Sequence, residues 1–125
     1  MKIEIIVEVT NTGYSAYAEK YAAFTTGATL EELKSNMLEA MNLYFEKDGI
    51  IIKAEDLKFN MDLPQFFDFY KVLNTKALSE TIGIKQDLLS EYVNGTKKPT
   101  PSQTRKILSG VQQLGRQLAA LQYIL

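Results

Sequence analysis

The spacing of apolar residues changes once along this chain of 125 residues, and that change constrains the fold more than any other feature. Before Pro64, several segments alternate apolar and polar residues, which is the two-residue period of a half-buried strand. After Pro64, apolar residues recur every three or four positions, which is typical of amphipathic helices. The pattern predicts an α+β chain, with a small ββ(β)αβ domain over residues 1–63 and an all-α domain over residues 64–125.

The first half opens with a predicted hairpin. Residues 2–9 form a strand whose core-facing positions are Ile3, Ile5, Val7 and Val9. The turn residues 11–13 separate it from a second strand over 14–18, and residues 21–26 are a candidate third strand.

A helix is predicted after Thr29, because Thr29 and Glu32 have the spacing of a capping box. Its buried stripe is Leu30, Leu33, Met37, Met41 and Tyr44. Gly49 suits the helix exit, and residues 50–52 are a candidate short strand. A last strand is indicated by the alternating Leu57, Phe59, Met61 and Leu63.

The second half consists of predicted helices. The first carries a stripe of Phe66, Phe67, Tyr70 and Leu73. A second helix, capped by Asn74 or Thr75, ends near Gly83, and a third covers residues 85–93. The last begins at Thr100 and Pro101. Its apolar positions follow the spacing of a coiled-coil seam: Ile107, Val111, Leu114, Leu118, Leu121 and Leu125. The seam is either a dimer contact, centred on Val111, Leu114, Leu118 and Leu121, or the closure of the helical core.

The composition excludes several kinds of chemistry. The chain has no cysteine and no histidine, which removes disulfides, thiolate ligands and the usual general base near neutral pH. We therefore expect neither enzymatic activity nor a cofactor or metal. The start alternates charged and apolar residues, unlike a signal peptide, and no apolar run reaches the ~20 residues of a membrane span. We expect a cytoplasmic protein that does not enter membranes.

Charge is divided unequally along the chain. Residues 1–63 carry six lysines against eleven acidic residues, whereas residues 64–125 carry eight basic residues against four acidic ones. A basic second half favours a nucleic-acid partner there. Chance drift in surface charge would give the same numbers.

Residues 76–94 have the pattern of a helix-turn-helix. Gly83 stands where the turn needs a positive φ angle. The positions expected to be buried between the two helices are Leu78, Ile82, Ile84, Leu89 and Tyr92. The outer face of the second helix is then Lys85, Gln86, Asp87, Ser90, Glu91 and Asn94, which would enter the major groove of DNA. Any amphipathic helix has a polar face, so a purely structural helix pair is the alternative.

The outer face has the chemistry to recognise bases. Gln86 and Asn94 can each make paired hydrogen bonds to adenine, and Asp87 or Glu91 can accept from cytosine N4. Lys85 can reach guanine or a phosphate. Lys97 and Lys98 follow the helix and can neutralise phosphates.

Two family resemblances cover nearly the whole chain. The segment LSETIGIKQDLLSEYVNGTKKP is similar to the Xre/Cro-type helix-turn-helix at Leu78, Gly83, Gln86, Leu89, Asn94, Gly95 and Pro99. Residues 1–63 resemble the HicB antitoxin family at Gly13, Tyr14, Ala16, Tyr17, residues 27–32, Asn36, Glu39 and Ala40. The sequence EKYAA at 19–23 stands where that family commonly has Asp-Leu-Pro-Gly.

The resemblance implies a type II antitoxin with a catalytically inert, partial ribonuclease H-like domain. That domain would bind and mask a small basic HicA-like toxin that cleaves mRNA, and the helical domain would repress the shared operon from a double-stranded DNA operator. An acidic first half suits a basic partner. The candidate contacts are Tyr14, Tyr17, Tyr21 and Phe24, which could equally be ordinary sheet residues. We expect a homodimer or a higher oligomer.

Three other functions are compatible with the sequence. A stand-alone repressor would use its first domain to sense a ligand or only to dimerise. A metal-dependent nuclease would need convergent carboxylates, for which Glu4, Glu8 and Glu19 are the candidates. A protein-interaction module would use the helical half to bind protein rather than DNA.

Overall fold

The computed structural model of this chain describes residues 1–122 and divides into two compact units, Met1–Phe69 and Tyr70–Leu125. The division falls after Phe69 rather than after the predicted residue 63. The reason is that a helix beginning at Leu63 packs on the first strand and so belongs to the first unit. Pro64 lies in the first turn of that helix, where its missing N–H costs no hydrogen bond.

The first unit is a four-stranded sheet with helices, and the second is wholly helical within the described residues, so the chain is α+β. The first unit contains β1 (Ile3–Thr10), β2 (Gly13–Ala18), β3 (Phe24–Gly27), α1 (Leu30–Tyr44), two short 3₁₀ turns (Glu46–Asp48 and Ala54–Asp56), β4 (Leu57–Met61) and α2 (Leu63–Phe69). The second contains α3 (Thr75–Ile82), α4 (Gln86–Asn94) and α5 (Pro101–Ala119). No helix among the described residues has the length and apolar character needed to cross a membrane.

The sheet has the strand order β3-β2-β1-β4. β1, β2 and β3 pair antiparallel through short turns, which confirms the hairpin and the third strand. β4 runs parallel to β1, and α1 lies in the crossover that a parallel pair requires. The predicted alternation in β1 is confirmed, because Ile3, Ile5, Val7 and Val9 are all buried.

α1 packs on the sheet through the middle of its stripe. Leu33, Met37 and Met41 are fully buried against the strands. Leu30 and Tyr44 were also expected in the core but are exposed, because they are the first and last residues of the helix. The Thr29 hydroxyl accepts the Glu32 N–H at 3.1 Å as expected, whereas the Glu32 carboxylate accepts from Ala28 rather than from Thr29.

Residues 50–52 do not form the predicted strand. Ile52 is buried, and its backbone bonds to a side chain instead of to a neighbouring strand. Its N–H donates to Asn42 Oδ1 at 2.8 Å, and its carbonyl accepts from Asn42 Nδ2 at 3.0 Å. The asparagine satisfies both backbone groups, so this segment needs no partner in the sheet.

Gln65 extends the hydrogen bonding of β1 beyond the end of β4. Its side chain accepts the Val9 N–H at 2.9 Å and donates to the Val9 carbonyl at 2.8 Å.

α2 buries Phe66 and Phe67 but ends at Phe69, so the predicted stripe does not continue through Tyr70 and Leu73 on one helix.

Four of the six helix ends in the second unit lie where capping residues predict them, whereas α4 begins without a side-chain cap at Lys85. Asn74 caps α3 by accepting the Ala77 N–H at 3.1 Å, and Thr100 caps α5 by accepting the Gln103 N–H at the same distance. Gly83 and Gly95 end α3 and α4 in the left-handed conformation, with φ angles of 83° and 78°.

The seam along α5 is buried at one end only. Ile107 is fully buried, Val111 and Leu114 are half-buried, and Leu118 and Leu121 are 58% and 73% exposed. Leu125 lies outside the described residues. The seam therefore closes the helical core near Ile107 and leaves apolar surface uncovered beyond it within the described chain.

α5 contains two glycines, and only Gly110 lies in close contact with α3. A Cβ added at Gly110 would lie 2.5 Å from Ile82 Cγ1, whereas one added at Gly115 would meet nothing within 4 Å. We expect Gly110→Ala to lower the free energy of unfolding of the helical unit by about 1–3 kcal/mol through overpacking. Gly115→Ala, the matched control in the same helix, should raise it by up to about 1 kcal/mol through helix propensity. Urea denaturation measures both, and equal shifts would contradict the close contact.

Candidate nucleic-acid interface and partner surface

α3 and α4 pack through the positions that the helix-turn-helix pattern predicts. Leu78, Ile84, Leu89 and Tyr92 are all buried, and Ile82 is half-buried. Burial of these side chains fixes which side of α4 faces away from α3. The geometry of a helix pair with one free polar face is therefore present.

The turn between the two helices is short and is hydrogen-bonded to the end of α3. The N–H groups of Gly83 and Ile84 both donate to the Ser79 carbonyl, at 2.9 and 3.1 Å. Ser79 is itself buried, and its hydroxyl donates to the Lys76 carbonyl at 2.6 Å. These bonds tie the turn to the end of α3 just before α4 begins.

The outer face of α4 is exposed at each of its six predicted positions: Lys85, Gln86, Asp87, Ser90, Glu91 and Asn94. Within residues 1–122, none of these six side chains takes part in a hydrogen bond or an ion pair. Their donors and acceptors are available to an external partner.

The loop after α4 is held against the end of that helix. The Glu91 carbonyl accepts from the Thr96 N–H at 3.0 Å, the Lys97 N–H at 3.3 Å and the Thr96 hydroxyl at 3.2 Å. Lys97 and Lys98 are exposed. The backbone of Lys97 is thus fixed beside the C-terminal end of the outer face, and Lys98 follows it in the chain.

The division into units makes the charge asymmetry larger than the sequence halves indicated. Met1–Phe69 carries six basic and twelve acidic residues, a net charge of −6, whereas Tyr70–Leu125 carries eight basic and three acidic residues, a net charge of +5. The difference arises because Asp68 belongs to the acidic unit.

The structure separates the four aromatic candidates of the first unit into two pairs. Tyr14 and Tyr21 are half-buried and pack on the core behind the sheet, where the Tyr21 ring lies 5.0 Å from the Phe45 ring. Tyr17 and Phe24 are 42% and 78% exposed and lie directly opposite each other on β2 and β3. Only the second pair lies on the surface.

Carboxylates lie near Tyr17 without forming a metal cluster. Burial, and then the charges of Glu8, Asp62 and Glu19, raise the pKa of the Tyr17 hydroxyl above its usual value. Glu4 accepts a hydrogen bond from Asn60 Nδ2 at 2.6 Å. Over the described part of the chain, no three acidic side chains come together as metal ligands would.

Comparison of the chain with protein-family models, with curated proteins and with solved structures gave no match.

Proposed function

We propose that this protein is the antitoxin of a HicA/HicB-like pair: its helical unit binds operator DNA and represses the operon, and its acidic unit binds and masks a small basic toxin. In this proposal the protein acts in the cytoplasm, without enzymatic activity or a cofactor.

The observation that carries the proposal is the outer face of α4. Six polar side chains stand exposed and without partners on a helix whose opposite side is anchored by Leu89 and Tyr92. A helix held in this way by a preceding helix is what the major groove admits. Basic residues elsewhere in the unit supply the favourable interaction with the phosphates.

The chemistry of the face suits base recognition at four of its six side chains. Gln86 and Asn94, at the two ends of α4, can each pair with an adenine. Asp87 and Glu91 can accept from cytosine. Their negative charges disfavour contact with phosphate, so they select sequences rather than add general affinity. Lys97 and Lys98 extend past the helix toward the backbone of the DNA.

The exposed end of the α5 seam supports a homodimer. Leu118 and Leu121 present apolar surface on the same helix whose other end closes the core. Burying that surface in a second copy would remove it from water and would pair two recognition helices. Helices about 34 Å apart would then match a pseudo-palindromic operator.

The topology of the first unit supports the partial ribonuclease H-like assignment. Three antiparallel strands are followed by a helix and by a fourth strand parallel to the first. Its net charge of −6 favours a basic partner such as the toxin. A stand-alone repressor would lack such a partner, and co-expression with a short neighbouring reading frame for a basic protein separates the two functions.

We expect Gln86→Ala and Lys97→Ala to weaken DNA binding in different ways. Gln86→Ala removes a base contact, so it should lower the preference for operator over random DNA by about 1–3 kcal/mol. Lys97→Ala removes a phosphate contact, so it should weaken binding to both DNAs alike and reduce the salt slope by about 1. Fluorescence anisotropy with the two labelled duplexes measures both quantities.

The matched control is Lys47→Ala, which removes an exposed lysine from the acidic unit. It should leave both affinities unchanged. Unchanged affinity in both the Gln86 and the Lys97 variants would show that α4 and its following loop do not contact DNA.

A further inference from the structure

The sheet of the first unit has a second face, opposite α1, that the core does not use. Odd-numbered residues of β1 are buried under α1, so the even-numbered residues point the other way. The strand registers then place Phe24, Tyr17, Ile6 and Asn60 side by side across all four strands. We call Ile6, Tyr17 and Phe24 the outer apolar row.

The row is most exposed at its β3 end. Ile6 is half-buried, Tyr17 is 42% exposed and Phe24 is 78% exposed. The Ala18 N–H donates to the Ala23 carbonyl, so Ala18 and Ala23 are a hydrogen-bonded pair. Hydrogen-bonded and non-hydrogen-bonded pairs alternate along antiparallel strands, so the next pair, Tyr17 and Phe24, is not hydrogen-bonded through the backbone. Side chains are closest in such pairs, so Tyr17 and Phe24 lie as neighbours on this face of the sheet.

The backbone edge of β3 is partly closed, so the row offers side chains rather than a free strand. Asn36 Nδ2 donates to the Thr26 carbonyl at 2.8 Å. That carbonyl points away from β2 in this register, and its hydrogen bond is made by Asn36 instead of by another strand. Addition of a partner strand along β3 would have to displace this bond.

Carboxylates border the row on the same face. Glu8, Asp62 and Glu19 are close enough to Tyr17 to raise the pKa of its hydroxyl, in addition to the larger effect of burial. Glu4 lies on β1 two residues before Ile6, and its partner in register is Lys58. An apolar centre with a mostly acidic border is complementary to an apolar side chain flanked by lysine or arginine.

We propose that the outer apolar row is the docking surface for a basic protein, which inserts an apolar side chain between Tyr17 and Phe24 and pairs its cations with the bordering carboxylates. This inference rests on the proposed function, since it locates the binding of the toxin. The unit's net charge of −6 repels nucleic acid, and it equally repels the same face of a second copy. A basic protein is the occupant that the charge favours.

The test uses the full-length protein and two fluorescein-labelled peptides, one alternating lysine with phenylalanine and one alternating lysine with serine. The first peptide should bind at least about tenfold more tightly, because only it fills the apolar row. Phe24→Ser should weaken the first peptide by a similar factor and leave the second unchanged. Leu43→Ser, which removes an exposed apolar side chain from α1, should affect neither.

Three results would overturn the inference. They are equal binding of the two peptides, an equal loss in the Leu43 variant, and conversion of a dimer to a monomer by Phe24→Ser in analytical ultracentrifugation. Operator binding is measured on the same samples, and Phe24→Ser should preserve it. If the two peptides bind equally but operator binding is intact, only the docking surface is refuted. If operator binding is absent but peptide binding depends on Phe24, only the repressor function is refuted.

Discussion

Gly13→Ala should lower the free energy of unfolding of the sheet unit by about 4 kcal/mol, because it combines backbone strain with backbone overlap. Gly13 has a φ angle of 146°, which L side chains rarely adopt. An added Cβ would also overlap Gly27 O and would lie 2.7 Å from Ala28 Cα and 2.9 Å from Ala28 O. Those atoms belong to the main chain at the end of β3, so no side chain can rotate away to make room.

The measurement is hydrogen exchange followed by mass spectrometry over β2 and β3, where faster exchange reports the loss of stability locally. Gly49→Ala is the matched control, because Gly49 also has a positive φ angle, of 67°, but an added Cβ would meet nothing within 4 Å. It should cost only about 1 kcal/mol. Equal losses of stability in the two variants would show that the β1–β2 turn does not lie in close contact with the backbone at the end of β3.

Most strands and helices of this chain follow from patterns that are local in sequence. β1 needs only its alternation, and α3, α4 and α5 are delimited by caps at Asn74, Gly83, Gly95 and Thr100. Such patterns involve residues only a few positions apart, so they can be recognised in the sequence without knowledge of the tertiary structure.

Two of the errors in the fold depend on contacts between residues that are separated in sequence. The strand predicted at 50–52 is absent because Asn42 satisfies the backbone of Ile52. The division between units follows Phe69 because Gln65 bonds to Val9, 56 residues earlier. Nothing in the local sequence around these residues indicates either partner.

The two parts of the candidate site differ in the same way. The exposed face of α4 was predicted residue by residue, because a helix fixes the direction of each side chain through its period. Alternation along β2 places Tyr14 and Tyr17 on opposite faces, but which of the two faces packs on the core depends on how β2 pairs with β1. Ile6 was missed for this reason, because only the pairing of β1 with β2 places it beside Tyr17.

The central claim, specific DNA binding by the helical unit, is tested most directly by fluorescence anisotropy of the purified protein. One labelled duplex comes from upstream of its own gene and the other is a shuffled control, each at two salt concentrations. We predict a preference of about 10³-fold or more for the upstream duplex, with affinity that falls steeply as salt rises. Equal affinity for the two duplexes, or binding to neither, would contradict the claim.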